Sequence, residues 1–335
     1  MKILCATDLV PKSESAIDRA GMLSDLLNAD LSLLHVVMPP ESARMLEEDL
    51  EHTKLLLTRR TESPVWRYGT QPRVLVRAGS PPRILLQTLR KLTPDLLVLG
   101  RQRRSRIRAY FARTLATRVL TEGICPVLIV NRMPLQNYRR IVLALDGGQA
   151  SARVVRAAEA MILTEGVQAS IVHACLVPEQ KIVTPRAMVP RPAPGIPLPG
   201  DWGREAAVFS LRTLLSNASR DITRYAIEVE NSSPLEAIQN VVGRQDADLL
   251  ILGTRGHGKV RRVLLGSVAH RALAGIDCDI LVVPDRSRLA TEHNPSPCIE
   301  SSGRLFGKAP GVFALRDRSA STRRREKIVR SCKWS

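Results

Sequence analysis

Glycine and hydroxyl residues follow an apolar stretch late in the chain, at a spacing that suits a bound phosphate. The stretch 247–252 is short and almost wholly apolar, which is typical of a parallel strand buried on both faces. Gly253 and Gly256 follow it, and Gly266 with Ser267 marks the expected start of a helix. Glycines let backbone N–H groups approach an anion, and the first N–H groups of a helix add partial positive charge. The pattern predicts a phosphate or nucleotide site.

Two observations limit this prediction. Glycines after a strand can serve only the geometry of a turn, and the spacing alone does not separate that role from phosphate binding. The residues also do not form a P-loop, because no Gly-Lys-Ser or Gly-Lys-Thr follows the strand, and they do not match the dinucleotide fingerprint.

The chain is an internal duplication, which supports the functional interpretation of the loop. The segment 2–8, a basic residue followed by an apolar strand and Asp8, recurs as 140–146, and the same offset relates His35 to His173. From Ser233 onward a larger but constant offset applies, so that 95–100 corresponds to 248–253. The glycine loop therefore exists twice.

The change of offset falls between His173 and Ser233, where the second copy is longer. Prolines are dense there, at 185, 190, 192, 194, 197 and 199. Proline lacks an N–H donor and interrupts helices and strand ladders, so this density predicts an extended surface excursion over about 178–200. We expect a first domain over 1–134, a second over 135–285 and a basic, disordered tail over 286–335.

Each copy has the length of one domain, and short apolar strands alternate with amphipathic helical stretches such as 13–27 and 151–163. This predicts an α/β fold with a mostly parallel sheet, in which ligands bind beyond the carboxyl ends of the strands. Ser13 and Ser151 are expected N-caps of the helix after the first strand of each copy.

Two such units in tandem resemble the universal stress protein family. Each unit has a strand-ending aspartate, a strand ending near a histidine, and a late strand ending in glycine. Gly253, Gly256 and Gly266-Ser267 match the family's phosphate motif at every position. The resemblance covers about residues 1–285 and implies two Rossmann-like domains of the adenine nucleotide alpha hydrolase type, each with a five-stranded parallel sheet and helices on both faces.

The resemblance also implies one ATP molecule, accompanied by Mg²⁺ where its phosphates bring the ion. The residues expected to bind it all lie in the second domain: Asp146, Ala174, Leu252, Gly253, Arg255, Gly256, His257, Gly258, Gly266, Ser267 and Val268.

The first copy departs from the motif. Gly100 is retained, but Arg103 and Arg113 replace the next two glycines, and Thr114 takes the place of the serine. Arginine is disfavoured where glycine conformations or close backbone approach are needed, so we expect weak or no ATP binding at this degenerate site, which also includes Asp8 and Val36. The alternative is that the arginines contact phosphate through their side chains.

Several site residues have a structural alternative. Asp146 could accept hydrogen bonds from a nucleotide or cap the following helix, and Ser267 could bind phosphate or act as an N-cap. His257 could contact the terminal phosphates or lie in solvent. His35 and His173, at the ends of buried strands, are expected to be structural.

The sequence shows no catalytic triad, no paired carboxylates beside the loop and no metal-binding Cys/His cluster. The cysteines at 5, 125, 175 and 278 are single and are expected to be core residues in a reduced chain. The absence of a signal peptide pattern and of long apolar runs predicts a cytoplasmic protein with no membrane insertion.

The net charge of +18 is concentrated in two places. The stretch Arg101–Arg118 has seven arginines and no acidic residue, and the tail 286–335 is also strongly basic. Such a face attracts acidic proteins and nucleic acid alike, although aromatic residues for base stacking amount to only 3%.

Three functions follow as hypotheses. The first is an ATP-binding stress-response regulator, in which the second domain holds the nucleotide and the two domains pair along 126–130 and 279–283 as a pseudo-dimer, with a homodimer as a further option. The second is a non-catalytic adaptor that uses the arginine-rich face. The third is a slow ATP hydrolase.

Overall fold

The computed structural model describes residues 1–9, 14–39, 42–63, 66–100, 115–148, 150–162, 164–175, 199–254 and 265–285, all of which belong to one compact unit, Met1–Asn294. The strands are β1 (Lys2–Thr7), β2 (Asp30–Val37), β3 (Arg73–Ala78), β4 (Leu96–Gly100), β5 (Val127–Val130), β6 (Arg140–Ala144), β7 (Gln168–Ala174), β8 (Tyr225–Glu230), β9 (Leu249–Gly253) and β10 (Asp279–Val283). The helices are α1 (Glu14–Leu26), α2 (Ala43–Glu62), α3 (Pro81–Leu92), α4 (115–122), α5 (Ser151–Ile162), α6 (Pro199–Ala218), α7 (Pro234–Arg244) and α8 (Ser267–Gly275), with a 3₁₀ turn at Ile222–Arg224.

All ten strands form a single sheet in the order β3-β2-β1-β4-β5-β10-β9-β6-β7-β8. Within each half the five strands are parallel, and the halves join where β5 and β10 pair antiparallel, with Leu128 opposite Leu281. The predicted pairing of the two final strands is confirmed. Because these strands run in opposite directions, the carboxyl ends of the two half-sheets lie at opposite edges.

Helices cover both faces of the sheet, as the apolar strands require. One buried layer unites the inner sides of α1, α5 and α6, and the other unites those of α3, α4, α7 and α8. Each layer draws strand residues from both halves, so the two domains share one continuous core rather than meeting across a polar surface.

The duplication extends to backbone conformations that side chains rarely adopt. Leu9 has a φ of 58° and its counterpart Gly147 a φ of 79°. Two further pairs of counterparts share a positive φ, Asn28 with Gly166 and Thr93 with Asp246. A left-handed residue is costly unless it is glycine, so three shared positions are a strong mark of common descent of the two halves.

Two expectations about helix starts need correction. The excursion predicted over 178–200 runs two residues too far, because α6 begins at Pro199, and proline is accommodated in the first turn of a helix. Ser151 is the first residue of α5 rather than its N-cap. Ser13 and the rest of the excursion lie outside the described residues, as does the tail 286–335.

A buried ion pair joins the halves. Arg19 of α1 lies 3.3 Å from the carboxylate of Asp279 at the start of β10, and the two side chains are only 6% and 1% exposed. The Asp279 carboxylate also accepts hydrogen bonds from the Tyr138 hydroxyl (2.7 Å) and the Asn131 N–H (2.8 Å). Arg19 Nε itself makes no hydrogen bond, so its attraction to Asp279 is electrostatic.

The ion pair between Arg19 and Asp279 has no equivalent at the symmetry-related positions of the two halves. The counterpart of Arg19 in the second half is Ala157, and the counterpart of Asp279 in the first half is Pro126. The Arg19 guanidinium also lies 3.9 Å from the centre of the Tyr138 ring and donates to the Gln136 carbonyl. Burial, with the nearby Asp279 carboxylate, raises the pKa of Tyr138 well above its ordinary value. These contacts of Gln136 and Tyr138 hold the segment between the two domains against the junction of β5 and β10.

Candidate functional site

The second half of the sheet reverses its strand order between β9 and β6, which are neighbours. In open α/β sheets this crossover is where ligands bind, beyond the carboxyl ends of the strands. Ala144 lies opposite Leu252 in the register. Gly253 ends β9, Ala174 ends β7, and Asp146 follows β6, so the strand-end residues expected to bind nucleotide lie at this one edge.

Asp146 forms the turn between β6 and α5. Its Oδ1 accepts hydrogen bonds from the Gly148 N–H (2.9 Å) and the Ser151 hydroxyl (2.8 Å). Gly147 supplies the positive φ that this turn needs. Asp146 therefore forms an Asx turn that also engages the Ser151 hydroxyl, which differs from the expected cap on the N–H groups of α5, and its nucleotide role stays a prediction.

Thr254 closes the base of the glycine loop, a role that the sequence analysis missed. It is buried, its carbonyl accepts from the Gly266 N–H (2.7 Å), and its hydroxyl accepts from the Asp285 N–H (3.1 Å). These bonds hold the two ends of the loop and the end of β10 together. The counterpart of Thr254 in the first half is Arg101, whose side chain has no acceptor to replace the threonine hydroxyl, and this difference was the available signal.

Helix α8 starts at Ser267, as predicted, with Gly266 as its N-cap and no side-chain hydrogen bond to the first turn. No acidic residue lies in that turn. Gly266 has φ −57° and ψ 151°, which any residue can adopt, so its backbone does not require glycine. Glycine has no side chain to cap the helix, and among the described residues no side chain bonds to its first turn, where the N–H groups and the helix dipole favour an anion.

Part of the predicted site lies outside the described residues, namely Arg255, Gly256, His257 and Gly258. Leu252 is buried in β9, and Val268 packs in the first turn of α8 against the core. The structure thus brings together the two ends of the predicted phosphate loop, Gly253 and Gly266–Ser267, at the crossover edge.

The two strand-end histidines have the structural role that we expected. His35 Nδ1 lies 2.9 Å from the Thr7 carbonyl, and His173 Nδ1 lies 2.8 Å from the Leu145 carbonyl. A carbonyl only accepts, so Nδ1 carries the proton in both rings. Each ring ties the end of its own strand to the end of the neighbouring strand.

In the first half, Gly100 ends β4, Val36 lies near the end of β2, and Asp8 is exposed after β1. Leu9 occupies the position of Gly147, and the Leu9 N–H donates to the Thr7 hydroxyl. Arg103, Arg113 and Thr114 lie outside the described residues.

The last arginine of the basic stretch is partly neutralised. Arg118 lies 3.4 Å from Glu122 in α4, and Arg90 of α3 lies 2.8 Å from the same carboxylate. The rest of the stretch from Arg101 to Thr114 lies outside the described residues.

Three of the cysteines are core residues, as expected. Cys5, Cys125 and Cys278 are buried, and burial raises the pKa of each thiol from 9.0 to about 12. A thiol with so high a pKa is a poor nucleophile at neutral pH. Within the described ranges, no group of three metal-binding side chains lies close enough to hold an ion. No described helix combines the length and the apolar character needed to cross a membrane.

Comparison with known proteins agrees with this architecture. The family model described as the universal stress protein family matches the chain twice, over residues 1–131 and 137–284. A universal stress protein of Methanocaldococcus jannaschii is 26% identical over 152 residues, which cover 44% of this chain and 82% of that protein.

Two solved structures share the fold at low sequence identity. One is a universal stress protein of Archaeoglobus fulgidus, with a TM-score of 0.60 and 15% identity, covering 84% of this chain and 96% of that one. The other is a protein of unknown function from Pseudomonas aeruginosa, with a TM-score of 0.56 and 15% identity, covering 87% and 97%. The chain belongs to the universal stress protein family, as a tandem of two family domains.

Proposed function

We propose that this protein is a nucleotide-dependent stress-response regulator that binds ATP in its second domain. The observation that carries the proposal is the uncapped start of α8 at the crossover between β9 and β6. In the part of the chain that the structure describes, no side chain caps the first N–H groups of this helix, and these groups suit a phosphate. A glycine whose own φ and ψ would suit any side chain is best explained by a ligand that needs the space.

The residues at this edge fit the parts of a nucleotide. Gly253, Gly266, Ser267 and Val268 would hold the phosphates through backbone N–H groups and the Ser267 hydroxyl. Asp146 would accept from ribose hydroxyls or the adenine amino group, and the backbone at Ala174 would border the base. Thr254 would act indirectly, by fixing both ends of the loop.

The first domain would serve as a packing partner rather than as a second site. Its position matching Gly266 is Arg113, and its position matching Gly147 is Leu9. The shared core gives it a structural task in any case, because β5 and α1 bury residues of the second half.

The proposal needs no catalytic step. Bound ATP would act as a signal by changing the surface around the loop. A slow hydrolase remains a separate hypothesis with its own assay.

Titration calorimetry of the full chain with ATP and Mg²⁺ tests the proposal. We expect one site per chain, and loss of binding in Gly266→Arg, which copies Arg113 from the first half. The matched control is Arg113→Gly, which should leave the affinity of the second site unchanged. Equal binding by the wild type and Gly266→Arg would refute the site assignment, and no binding by either would refute the nucleotide proposal.

Two further measurements complete the test. Mass spectrometry of small molecules released from the purified protein should detect an adenine nucleotide. Phosphate release in the presence of Mg²⁺ should not exceed that of Asp146→Ala, and a clearly faster wild type would favour the hydrolase hypothesis.

A further inference from the structure

Helix α6 has one buried face and one face that packs against none of the other described helices and strands. Leu211 and Leu215 are buried against α5 and β8. On the other side Phe209 is 73% exposed, the most exposed aromatic side chain that the described residues contain. It lines a surface cavity of about 490 Å³ together with Arg204, Glu205, Val208 and Arg212. An exposed aromatic residue of this size is a frequent anchor of protein interfaces.

We propose that this face of α6 is a self-association surface through which two copies of the chain pair as antiparallel helices. Glu205, Val208, Phe209 and Arg212 follow one another at i, i+3, i+4 and i+7, so they form one stripe along the helix. The stripe has an acid at one end, a base at the other and two apolar residues between them.

This order is complementary to itself. A two-fold axis between Val208 and Phe209 places Glu205 opposite Arg212 of the second copy, and Val208 opposite Phe209 of the second copy. The same contacts then form twice, as an isologous interface requires. Neither Glu205 nor Arg212 makes an ion pair with any residue of the described ranges, so both charges are available for such a contact.

The charges favour a second copy over other partners. An acidic protein or a nucleic acid would bring negative charge against Glu205, which lies beside Arg204 on the same face, and like charges placed together are unfavourable. A second copy pairs each charge with its opposite.

The location also permits pairing without rearrangement. Helix α6 packs on β8, the outer strand at one end of the sheet, whereas the junction of the halves uses β5 and β10. Both contacts can therefore exist in one assembly. One helix pair buries less than the roughly 1,200–2,000 Å² of a stable interface, so we expect a weak dimer with a Kd on the order of micromolar.

Analytical ultracentrifugation of the full chain across a range of concentrations tests the inference. We expect a reversible monomer–dimer equilibrium in the wild type. Phe209→Ser should raise the dissociation constant at least tenfold, because it removes the apolar centre while changing an exposed position. Leu56→Ser on α2, where the leucine is 47% exposed, is the matched control and should leave the equilibrium unchanged.

Charge reversal provides the decisive variant. Glu205→Arg and Arg212→Glu should each weaken the dimer about tenfold, whereas the double variant should recover most of the affinity, because both contacts are restored with exchanged signs. A monomeric wild type, assemblies larger than a dimer, unchanged association of Phe209→Ser, or a double variant as weak as the singles would each overturn the inference. Circular dichroism confirms that each variant is folded.

Discussion

Leu9 and Gly147 hold the same left-handed backbone conformation at the same turn of the two domains, with φ of 58° and 79°. In the second domain the turn carries Asp146 and begins α5, and glycine adopts it without strain. In the first domain a leucine bears the steric cost. The two turns therefore share one backbone geometry, which is strained in the first domain and unstrained in the second.

The backbone requirement at Gly147 can be isolated with alanine. An added Cβ at Gly147 meets no atom within 4 Å, so Gly147→Ala should cost only the conformational term, about 1 kcal/mol of unfolding free energy. Gly243 in α7 is equally open but is helical, so Gly243→Ala should stabilise by about 0.5–1 kcal/mol. Urea denaturation measures both, and changes of the same sign would contradict the assignment.

The Arg19–Asp279 pair should be costly to break but not costly to replace. Asp279→Leu leaves a buried guanidinium without its partner, and we expect a loss of about 3–5 kcal/mol in the free energy of unfolding. Adding Arg19→Met should recover a large part of that loss, since two apolar residues then fill the site. Denaturation of the single and double variants decides, and a double variant as unstable as the sum of the two singles would contradict the prediction, because it would show no coupling between the two side chains.

Alkaline pH should destabilise the protein through its buried thiols. An unfolded thiol loses its proton near pH 9.0, whereas Cys5, Cys125 and Cys278 keep theirs until about 12 when folded. Between these values the unfolded state binds fewer protons, so stability is full below pH 9 and falls as the pH rises. The slope approaches about 1.4 kcal/mol per pH unit for each thiol.

Replacing two of these thiols should flatten the slope. The variant Cys125→Ala/Cys278→Ala is expected to be less stable near pH 7 because of lost packing, but its stability should change less between pH 8 and 10.5. Guanidinium denaturation across that range measures the slope. A variant with the slope of the wild type would show that other groups, such as Tyr138, control the alkaline response.

Gly266→Asp should separate helix stability from ligand binding. A carboxylate at the N-cap of α8 satisfies the first turn and opposes the positive helix end, so thermal stability should rise by about 0.5 kcal/mol. The same charge should repel a phosphate and weaken ATP binding by at least tenfold. Ser80→Asp at the N-cap of α3, which also lacks a side-chain cap, is the control and should not alter ATP binding. If Gly266→Asp bound ATP normally, the phosphates would not lie at α8.

Much of the fold follows from local patterns in the sequence. The apolar strands and the helix start at Ser267 were predictable, because each depends on residue type and periodicity within a short segment. The buried roles of Cys5 and Cys278 followed for the same reason. The pairing of 126–130 with 279–283 joins distant segments, and it was predictable from the duplication, which gives each copy a matching apolar final strand.

The missed features depend on contacts between distant segments. The sequence pattern gives Asp279 no partner, because Arg19 and Tyr138, which contact its carboxylate, are remote in sequence. Thr254 was not singled out because its two bonds form only after β9, β10 and α8 come together. Ser151 has the residue type of an N-cap, but it is the first residue of α5 and its hydroxyl donates to the Asp146 carboxylate.

The antiparallel pairing of β5 with β10 places, at each edge of the sheet, the carboxyl ends of one domain's strands beside the amino ends of the other's. Around Gly253, the neighbouring strands of the first domain present their starting residues, such as Lys2 and Pro126, instead of a second crossover. A partner that binds at the loop after Gly253 would therefore contact both domains at once. A partner that binds near Gly100 would lie at the opposite edge of the sheet, separated from that loop by the full length of the strands.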